Sequence, residues 1–328
     1  MKISTAMCTY NGARFLPEQL ASIAAQTRPT DEMVVCDDGS SDRTMSIVRD
    51  FAARAAFPVE IATNEVRLGS AQNFAKAMSL CTGDVIVLSD QDDVWFPDRL
   101  AETEGIFRAE PSVAFVYGDA VLIDESSHPL KGTIWSAAPL PDRDRRRLQS
   151  NTELLDVLLR YSVTYGATMA LRAIYRDVVL PIPEGWSHDE WIALVLSATA
   201  EARALTHCPI AYRQHAAQQF GACESDVGAL VWAGHRRAKE AYASQLARYS
   251  AALERFHTST PRARVLPATI DKLERKVEHL ERRVAIQKGG ARAVFMAVKL
   301  LASGEYVEFS GGIRSFLKDV AVLLGAAA

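Results

Sequence analysis

Val85-Ile86-Val87-Leu88 is a run of apolar β-formers that stops abruptly in Ser89-Asp90-Gln91-Asp92-Asp93. Such a run, bounded by polar residues, reads as a strand buried on both faces. It puts three carboxylates at the carboxyl end of a central strand, where open α/β sheets bind ligands. Two Asp at i and i+2 can hold one hard divalent cation that bridges to the phosphates of a nucleotide. They can also form an Asx-rich turn capping the helix after Pro97. Two earlier strand ends carry Thr9-Tyr10 and Asp37-Asp38. The Tyr10 ring could stack on a base and Asp38 could accept from a pyrimidine N3–H, while Asp42 sits where a helix cap is expected.

A later cluster, Trp186-Ser187-His188-Asp189-Glu190-Trp191, opens a helix. Ser187 and Glu190 have the spacing of a capping box, which leaves Asp189 facing the crevice as a general base for an incoming hydroxyl. The competing reading of Asp189 is an acid that only complements the helix dipole, and of His188 a surface histidine. In Tyr212-Arg213-Gln214-His215, Arg suits phosphate, and His suits either a diphosphate or a metal.

Strands must carry these residues to one edge. Ile3–Cys8, Met33–Cys36, Val59–Ala62 and Val85–Ser89 alternate with helices whose inward faces are Leu16, Leu20, Ile23 and Ala24; Ile47, Val48 and Phe51; and Phe74, Ala77 and Met78. Four such alternations with short joints predict a parallel, doubly wound α/β sheet. Val113–Tyr117 is a fifth strand. Residues 125–150, with Pro129, Pro139, Pro141 and the basic run Arg143–Arg147, read as a long loop. Leu154–Leu159 are helical, Thr168–Leu171 strand-like, and the Ala202–Tyr212 stretch ends the α/β pattern. Beyond it, Tyr242, Leu246, Tyr249, Leu253 and Phe256, then Ile270, Leu273, Val277, Leu280 and Val284, step by three and four. Pro261 and Pro267 separate the two seams, as in an antiparallel helical hairpin. Last, Ile313, Phe316, Leu317, Val320, Leu323 and Leu324 make an apolar stripe beside Arg314 and Lys318. That stripe suits an anionic membrane surface, or packing on the hairpin. The domain boundary is expected at 1–223 and 224–328.

Charge divides at the same place. Residues 1–223 carry 20 Lys and Arg against 29 Asp and Glu (net −9), and residues 224–328 carry 17 against 11 (net +6). The acidic half fits a metal-bridged phosphate ligand, and the basic half an anionic surface or acidic neighbour. Five scattered cysteines, Cys8, Cys36, Cys81, Cys208 and Cys223, form no CxxC pair, arguing for reduced thiols in a cytoplasmic setting. No apolar stretch is long enough to span a membrane, and the amino terminus has no signal-peptide core. Neither GxGxxG after the first strand nor GxxxxGK[ST] occurs, which sets aside dinucleotide oxidoreductases and ordinary nucleotide hydrolases.

Together, Thr9-Tyr10-Asn11-Gly12, Gln26-Thr27, Asp37-Asp38-Gly39-Ser40-Ser41-Asp42, Ser89–Trp95, His188-Asp189 and Arg213-Gln214-His215 resemble the family 2 inverting glycosyltransferases of the GT-A fold. The likeness is to the rhamnosyltransferase-like members of bacterial surface polysaccharide synthesis, over about residues 1–221. It implies a mixed nucleotide-sugar-binding sheet flanked by helices and followed by a helical region. It also implies that Thr9, Tyr10, Asn11, Asp38, Arg67 and Asp90 contact the nucleotide of a nucleotide-sugar donor. Asp92, Asp90 and His215 would hold Mg²⁺ or Mn²⁺, Arg213 and His215 would close over the diphosphate, and Asp189 would be the base. The acceptor would be a saccharide or lipid-linked saccharide, with dTDP-rhamnose a donor implied by resemblance alone. Two departures stand out: Ala216-Ala217-Gln218 where Gly-x-Asn is common, and Glu190 where an aromatic is common. No nucleic-acid partner is expected, and the helical region could pair two copies. A metal-dependent nucleotidyltransferase lacks support because no basic, glycine-rich loop follows the first strand. A non-catalytic nucleotide-sugar-binding scaffold would leave the acids and the base without a task.

Overall fold

A computed structural model describes residues 1–138, 140–150, 153–216, 234–258 and 265–325. The chain forms two compact units. One holds Met1–Thr152, Val163–Ile182 and Trp186–Cys223; the other holds Glu153–Ser162, Pro183–Gly185 and Glu224–Ala328.

In the first unit, β1 (Ile3–Thr9), β2 (Glu32–Asp37), β3 (Val59–Thr63) and β4 (Val85–Ser89) alternate with α1 (Leu16–Ala24), α2 (Thr44–Ala52) and α3 (Ser70–Leu80). After the short β5 (Val94–Trp95) come α4 (Arg99–Ala109), β6 (Val113–Tyr117), β7 (Val121–Ile123), β8 (Pro129–Thr133), α5 (Ile134–Ala137) and α6 (Asp142–Ser150). Following α7 (Leu154–Leu158) of the second unit, the first resumes with β9 (Ala170–Arg172), α8 (Arg176–Val179), α9 (His188–Thr199), β10 (Glu201–Ala204) and β11 (Ile210–Arg213). The main sheet runs β10-β6-β9-β4-β1-β2-β3, and a smaller sheet runs β5-β11-β7-β8.

β1 is flanked by β2 and β4, both parallel to it, so the strand order reverses at β1 and opens a crevice at the carboxyl ends of β1 and β4. The burial of Val85–Leu88 explains its continuous apolar run; Ile3–Met7 is as fully buried, with the hydrogen-bonded Ser4 and Thr5 within it. The sheet is mixed, not parallel throughout: β9 enters antiparallel between β4 and β6. On α1 the inward residues are Leu16, Gln19, Leu20 and Ile23, whereas Ala24, expected inside, faces solvent.

Residues 125–150, expected as a loop, instead hold β8, α5 and α6. Thr133 and Ser136 cap α5 reciprocally, and Asp144 and Leu148 turn the inner side of α6 to the protein, so the basic run decorates a helix. Pro139 lies outside the described residues, as do Ala217, Gln218 and Cys223.

At the opposite, amino end of the strands, the Glu32 carboxylate accepts from Ser4 Oγ (2.6 Å), Thr82 N (2.6 Å) and Lys2 Nζ (2.5 Å). Burial would raise its pKa, but hydrogen bonds from Lys2, Ser4 and Thr82 outweigh that and hold it at about 2. A carboxylate depressed in the folded state adds stability above its unfolded pKa, lost as pH falls through the folded value. Glu32→Gln should therefore weaken the protein at neutral pH and flatten the acid limb of its stability between about pH 4.5 and 2. Urea unfolding across that range checks it; an acid limb of unchanged slope would contradict the assignment.

The second unit contains α10 (Gly234–His257), α11 (Pro267–Ile286), α12 (Ala291–Ala302), α13 (Glu305–Phe309) and α14 (Ile313–Gly325). α10 and α11 run antiparallel: Tyr242 meets Arg283, Tyr249 meets Lys276 and His257 meets Glu274. Leu273 and Leu280 of the expected seam are buried, but so are Lys276, His279 and Arg283. The expected stripe on α14 divides. Phe316 and Leu323 pack inward, Ile313 and Leu317 are exposed, and the helix is oriented by buried Asp319. Arg283 meets Asp319 through two 2.8 Å bonds, and Tyr306 Oη donates to Asp319 at 2.6 Å.

Candidate active site

The crevice is built by backbone turns that side chains tie together. Gln91, between the two Asp of the β4 turn, clasps Tyr10: its Oε1 accepts from Tyr10 N (2.9 Å) and its Nε2 donates to Tyr10 O (3.0 Å). From inside α1, Gln19 Nε2 donates to Ser89 Oγ (2.9 Å) and Asp90 O (3.1 Å). Thus the loops after β1 and β4 are locked together. A polar residue in the apolar register of α1 was the visible signal for Gln19; nothing in the sequence marks the clasp by Gln91.

On the nucleotide side, Thr9 Oγ1 donates to Asp37 (2.8 Å), and Asp37 also receives Ser40 N and Oγ. Asn11 adopts a left-handed φ of 47°, its Oδ1 accepting from Ser41 N at 2.8 Å. Asp42 lies one residue before Arg43, the N-cap position of α2, and accepts from Thr44 N (2.9 Å) and Ala13 N (3.1 Å), which holds its pKa down against burial. Asp38, expected at the base, has a buried and largely committed carboxylate. It accepts from Asn64 Nδ2 (2.9 Å), Leu68 N (2.7 Å) and Gly69 N (2.9 Å), shaping the turn into α3. That turn places Arg67 3.9 Å from Asp38, with its guanidinium 3.9 Å over the Tyr10 ring. Tyr10 and Arg67 thus form one exposed stacking corner, with buried Asp38 behind it.

Asp90, half-buried beyond β4, has its pKa pushed up to about 8 by burial, then by the charges of Asp92 and Asp189. The acid ending β4 and the acid opening α9 therefore face one crevice. Asp92 Oδ2 lies 2.9 Å from His215 Nε2. Asp93 is fully buried, accepts from Arg213 N (3.1 Å), and is held well above its usual pKa by burial and its acidic neighbours. None of these acids caps α4, whose N-cap residue is Asp98.

Arg213 is not positioned as an open diphosphate ligand. Its guanidinium is fully buried and donates to Asp92 O (2.7 Å), Asp124 O (3.2 Å), Ser127 Oγ (2.8 Å) and Glu18 (2.6 Å), stacked over Phe15. Its position at the end of a buried strand, with acceptors on three sides, makes it a strut behind the Asp92 turn. His215 packs 4.6 Å from the Phe15 ring.

Asp189 stands in the first turn of α9. Its Oδ1 accepts from Glu190 N (2.9 Å) and its Oδ2 from Gly166 N (3.2 Å), leaving each oxygen a further lone pair. The expected capping box is not formed: Ser187 Oγ donates directly to the Glu190 carboxylate at 3.1 Å. His188 is no surface residue. It is stacked on Phe74 at 3.9 Å, buried, its pKa lowered by burial, with no hydrogen-bond partner for Nε2 among the described residues. A Cβ at Gly166 would stand 2.2 Å from that Nε2. Gly166→Ala should therefore displace the stacked ring and cost about 1–3 kcal/mol. Thermal unfolding beside wild type measures it, and an unchanged midpoint would mean the ring yields freely.

Among the described residues no group of three or more His, Cys, Asp or Glu is arranged to hold a metal. Asp92, His215 and Asp90 nevertheless offer hard oxygen and imidazole donors in a crevice whose crowded negative charge a cation would relieve.

Comparison with known proteins places these features. Residues 4–165 match the profile of Glycosyl transferase family 2. The chain is 30% identical over 125 residues to WfgD of Escherichia coli, a UDP-Glc:α-D-GlcNAc-diphosphoundecaprenol β-1,3-glucosyltransferase; the match spans 38% of this chain and 48% of WfgD. It is 35% identical over 98 residues to the dTDP-rhamnosyl transferase RfbG of Shigella flexneri, covering 29% of this chain and 34% of RfbG. The chain thus spans less than half the length of each. Among solved structures, the mannosyltransferase PcManGT of Pyrobaculum calidifontis, in complex with GDP-Man and Mn²⁺, shares the fold. Its TM-score is 0.54 at 19% identity, covering 99% of this chain and 86% of that one.

Proposed function

We propose that the chain, whose residues 4–165 match Glycosyl transferase family 2, is an inverting transferase moving a sugar from a nucleotide-sugar donor to a hydroxyl of a saccharide or lipid-linked saccharide. The observation that carries this reading is the placing of Asp90 and Asp92 after β4 and of Asp189 at the start of α9, close enough that the charges of Asp92 and Asp189 add to burial in raising the pKa of Asp90. The acids after β4 suit the diphosphate side, and the acid opening α9 suits the acceptor side. We assign this chemistry to residues 1–223, with residues 224–328 as an accessory helical region.

In this reading Tyr10 and Arg67 receive the base at their stacking corner, and Thr9, Asn11 and Asp38 hold the loops that form it. Asp189 accepts the proton of the acceptor hydroxyl, whose oxygen attacks the anomeric carbon from the face opposite the diphosphate. One displacement inverts the configuration and releases nucleoside diphosphate. Arg213 contributes by fixing the Asp92 turn from behind. Asp92, Asp90 and His215 would hold Mg²⁺ or Mn²⁺, which when bound supplies counter-charge for the leaving diphosphate. Sites of this kind use one or two carboxylates and complete their coordination with substrate phosphates and water, so a full protein cage is not required. The names of RfbG and WfgD make dTDP-rhamnose and UDP-glucose the first donors to try, and WfgD's a diphosphate-linked lipid the first acceptor.

Calorimetric binding of dTDP and UDP with and without Mn²⁺ tests the site. Wild type should bind more tightly with metal, and Asp92→Ala should lose about tenfold of that metal-dependent affinity with its thermal midpoint nearly unchanged. Equal metal dependence in the variant would remove Asp92 from the metal side.

A further inference from the structure

α12 is apolar on both its inner and its outer side. Its inward line is Ala293, Ala297 and Leu300, while Val294, Phe295 and Val298 are 51%, 73% and 52% exposed. An outward Phe between two outward Val on one helix is an unusual thing to leave in water. Arg292 and Lys299 flank this ridge, and neither has an ion pair or hydrogen bond among the described residues.

Beside the ridge lies a cavity of about 610 Å³, walled by Arg282, Arg292, Lys299, Phe295 and Met296. Its one acid, Glu305, is already bound by Arg282 Nη1 through two bonds of 2.8 and 2.9 Å. Arg292 and Lys299 are left to face whatever enters. A phosphate is the group such a recess suits, and an apolar ridge next to a phosphate recess is the chemistry of a phospholipid surface.

We propose that α12 is the surface by which this chain lies on an anionic phospholipid membrane. Val294, Phe295 and Val298 enter the acyl boundary, while Arg292 and Lys299 hold head-group phosphate. No described helix is long and apolar enough to cross a membrane, so the contact is interfacial. Exposed Ile313 and Leu317 of α14, with Arg314 and Lys318, add to the same chemistry but do not define the ridge. A second copy is the weaker occupant, because residues 224–328 carry a net charge of +6 and would meet their own cations. The inference stands apart from sugar transfer, since lipid binding is read without any substrate.

Flotation of the full chain with vesicles of phosphatidylcholine alone, or with about one-third phosphatidylglycerol, tests it. Wild type should float with the anionic vesicles at low salt, less at high salt, and not with neutral ones. Phe295→Asp should abolish flotation, and Arg292→Gln or Lys299→Gln should each lower partitioning about 5-fold. These side chains are exposed, so thermal midpoints should hold, separating lost binding from lost fold. The proposal is overturned if wild type ignores anionic vesicles or if Phe295→Asp floats as well as wild type. It is equally overturned if light scattering finds a lipid-free dimer that Phe295→Asp dissociates, which would give the ridge to a second copy.

Discussion

Asp189→Asn should lower turnover by about 10²-fold or more while leaving the affinity for nucleotide sugar little changed. Asn preserves size, and its one oxygen can keep the bond from Glu190 N at the start of α9, while its amide NH2 replaces the oxygen that accepts from Gly166 N. What it cannot do is take a proton from the acceptor hydroxyl. Glu190→Gln is the companion variant. Glu190 is engaged by Ser187, so its loss should be mild. Steady-state kinetics with saturating donor separates the two; a crippled Glu190→Gln beside an active Asp189→Asn would move the base by one residue.

The largest expected effect on stability lies in the helical unit. Asp319→Ala leaves Arg283 buried without its carboxylate and removes the acceptor of the Tyr306 hydroxyl. Breaking one side of a buried ion pair costs about 3–5 kcal/mol, whereas replacing both members by apolar residues of similar volume is often neutral. Asp319→Ala should therefore unfold the helical unit at markedly lower denaturant, and Asp319→Leu with Arg283→Met should recover most of the loss. Circular dichroism across a denaturant series measures both. If the single variant behaved as wild type, α14 would be held by its apolar contacts alone.

Much of the fold was legible because apolar period and burial coincide in the first four strands. Val85–Leu88 is buried on both sides and reads as a continuous apolar run, and Ile3–Met7 is equally buried with Ser4 and Thr5 within it. Where several weak signals met, as in 125–150, prolines and charges suggested a loop although reciprocal capping by Thr133 and Ser136 starts a helix there. β9 could not be oriented from its three residues, because parallel and antiparallel strands share the same alternation. In the helical unit the apolar seam was visible, but Lys276, His279 and Arg283 are buried by pairing with partners distant in sequence, which no local pattern encodes.

The site followed the same division. Acids at strand ends were legible, since strand ends are where such sheets place ligands. The residues holding those acids were not: Gln91 on Tyr10, Arg213 behind Asp92, and Gly166 making room for His188 depend on contacts between separate loops. Arg213 shows the limit of reading residue type alone. A guanidinium suits phosphate chemically, yet four acceptors on the protein already surround this one.

The most direct measurement is the product released when the full chain is incubated with Mn²⁺, a panel of nucleotide sugars including dTDP-rhamnose and UDP-glucose, and diphosphate-linked lipid acceptors. The account predicts free nucleoside diphosphate, formed only with an acceptor present and lost in Asp189→Asn, with the anomeric configuration inverted in the product. Release of pyrophosphate would instead indicate nucleotidyl transfer, and turnover undiminished in Asp189→Asn would contradict the assignment of the base.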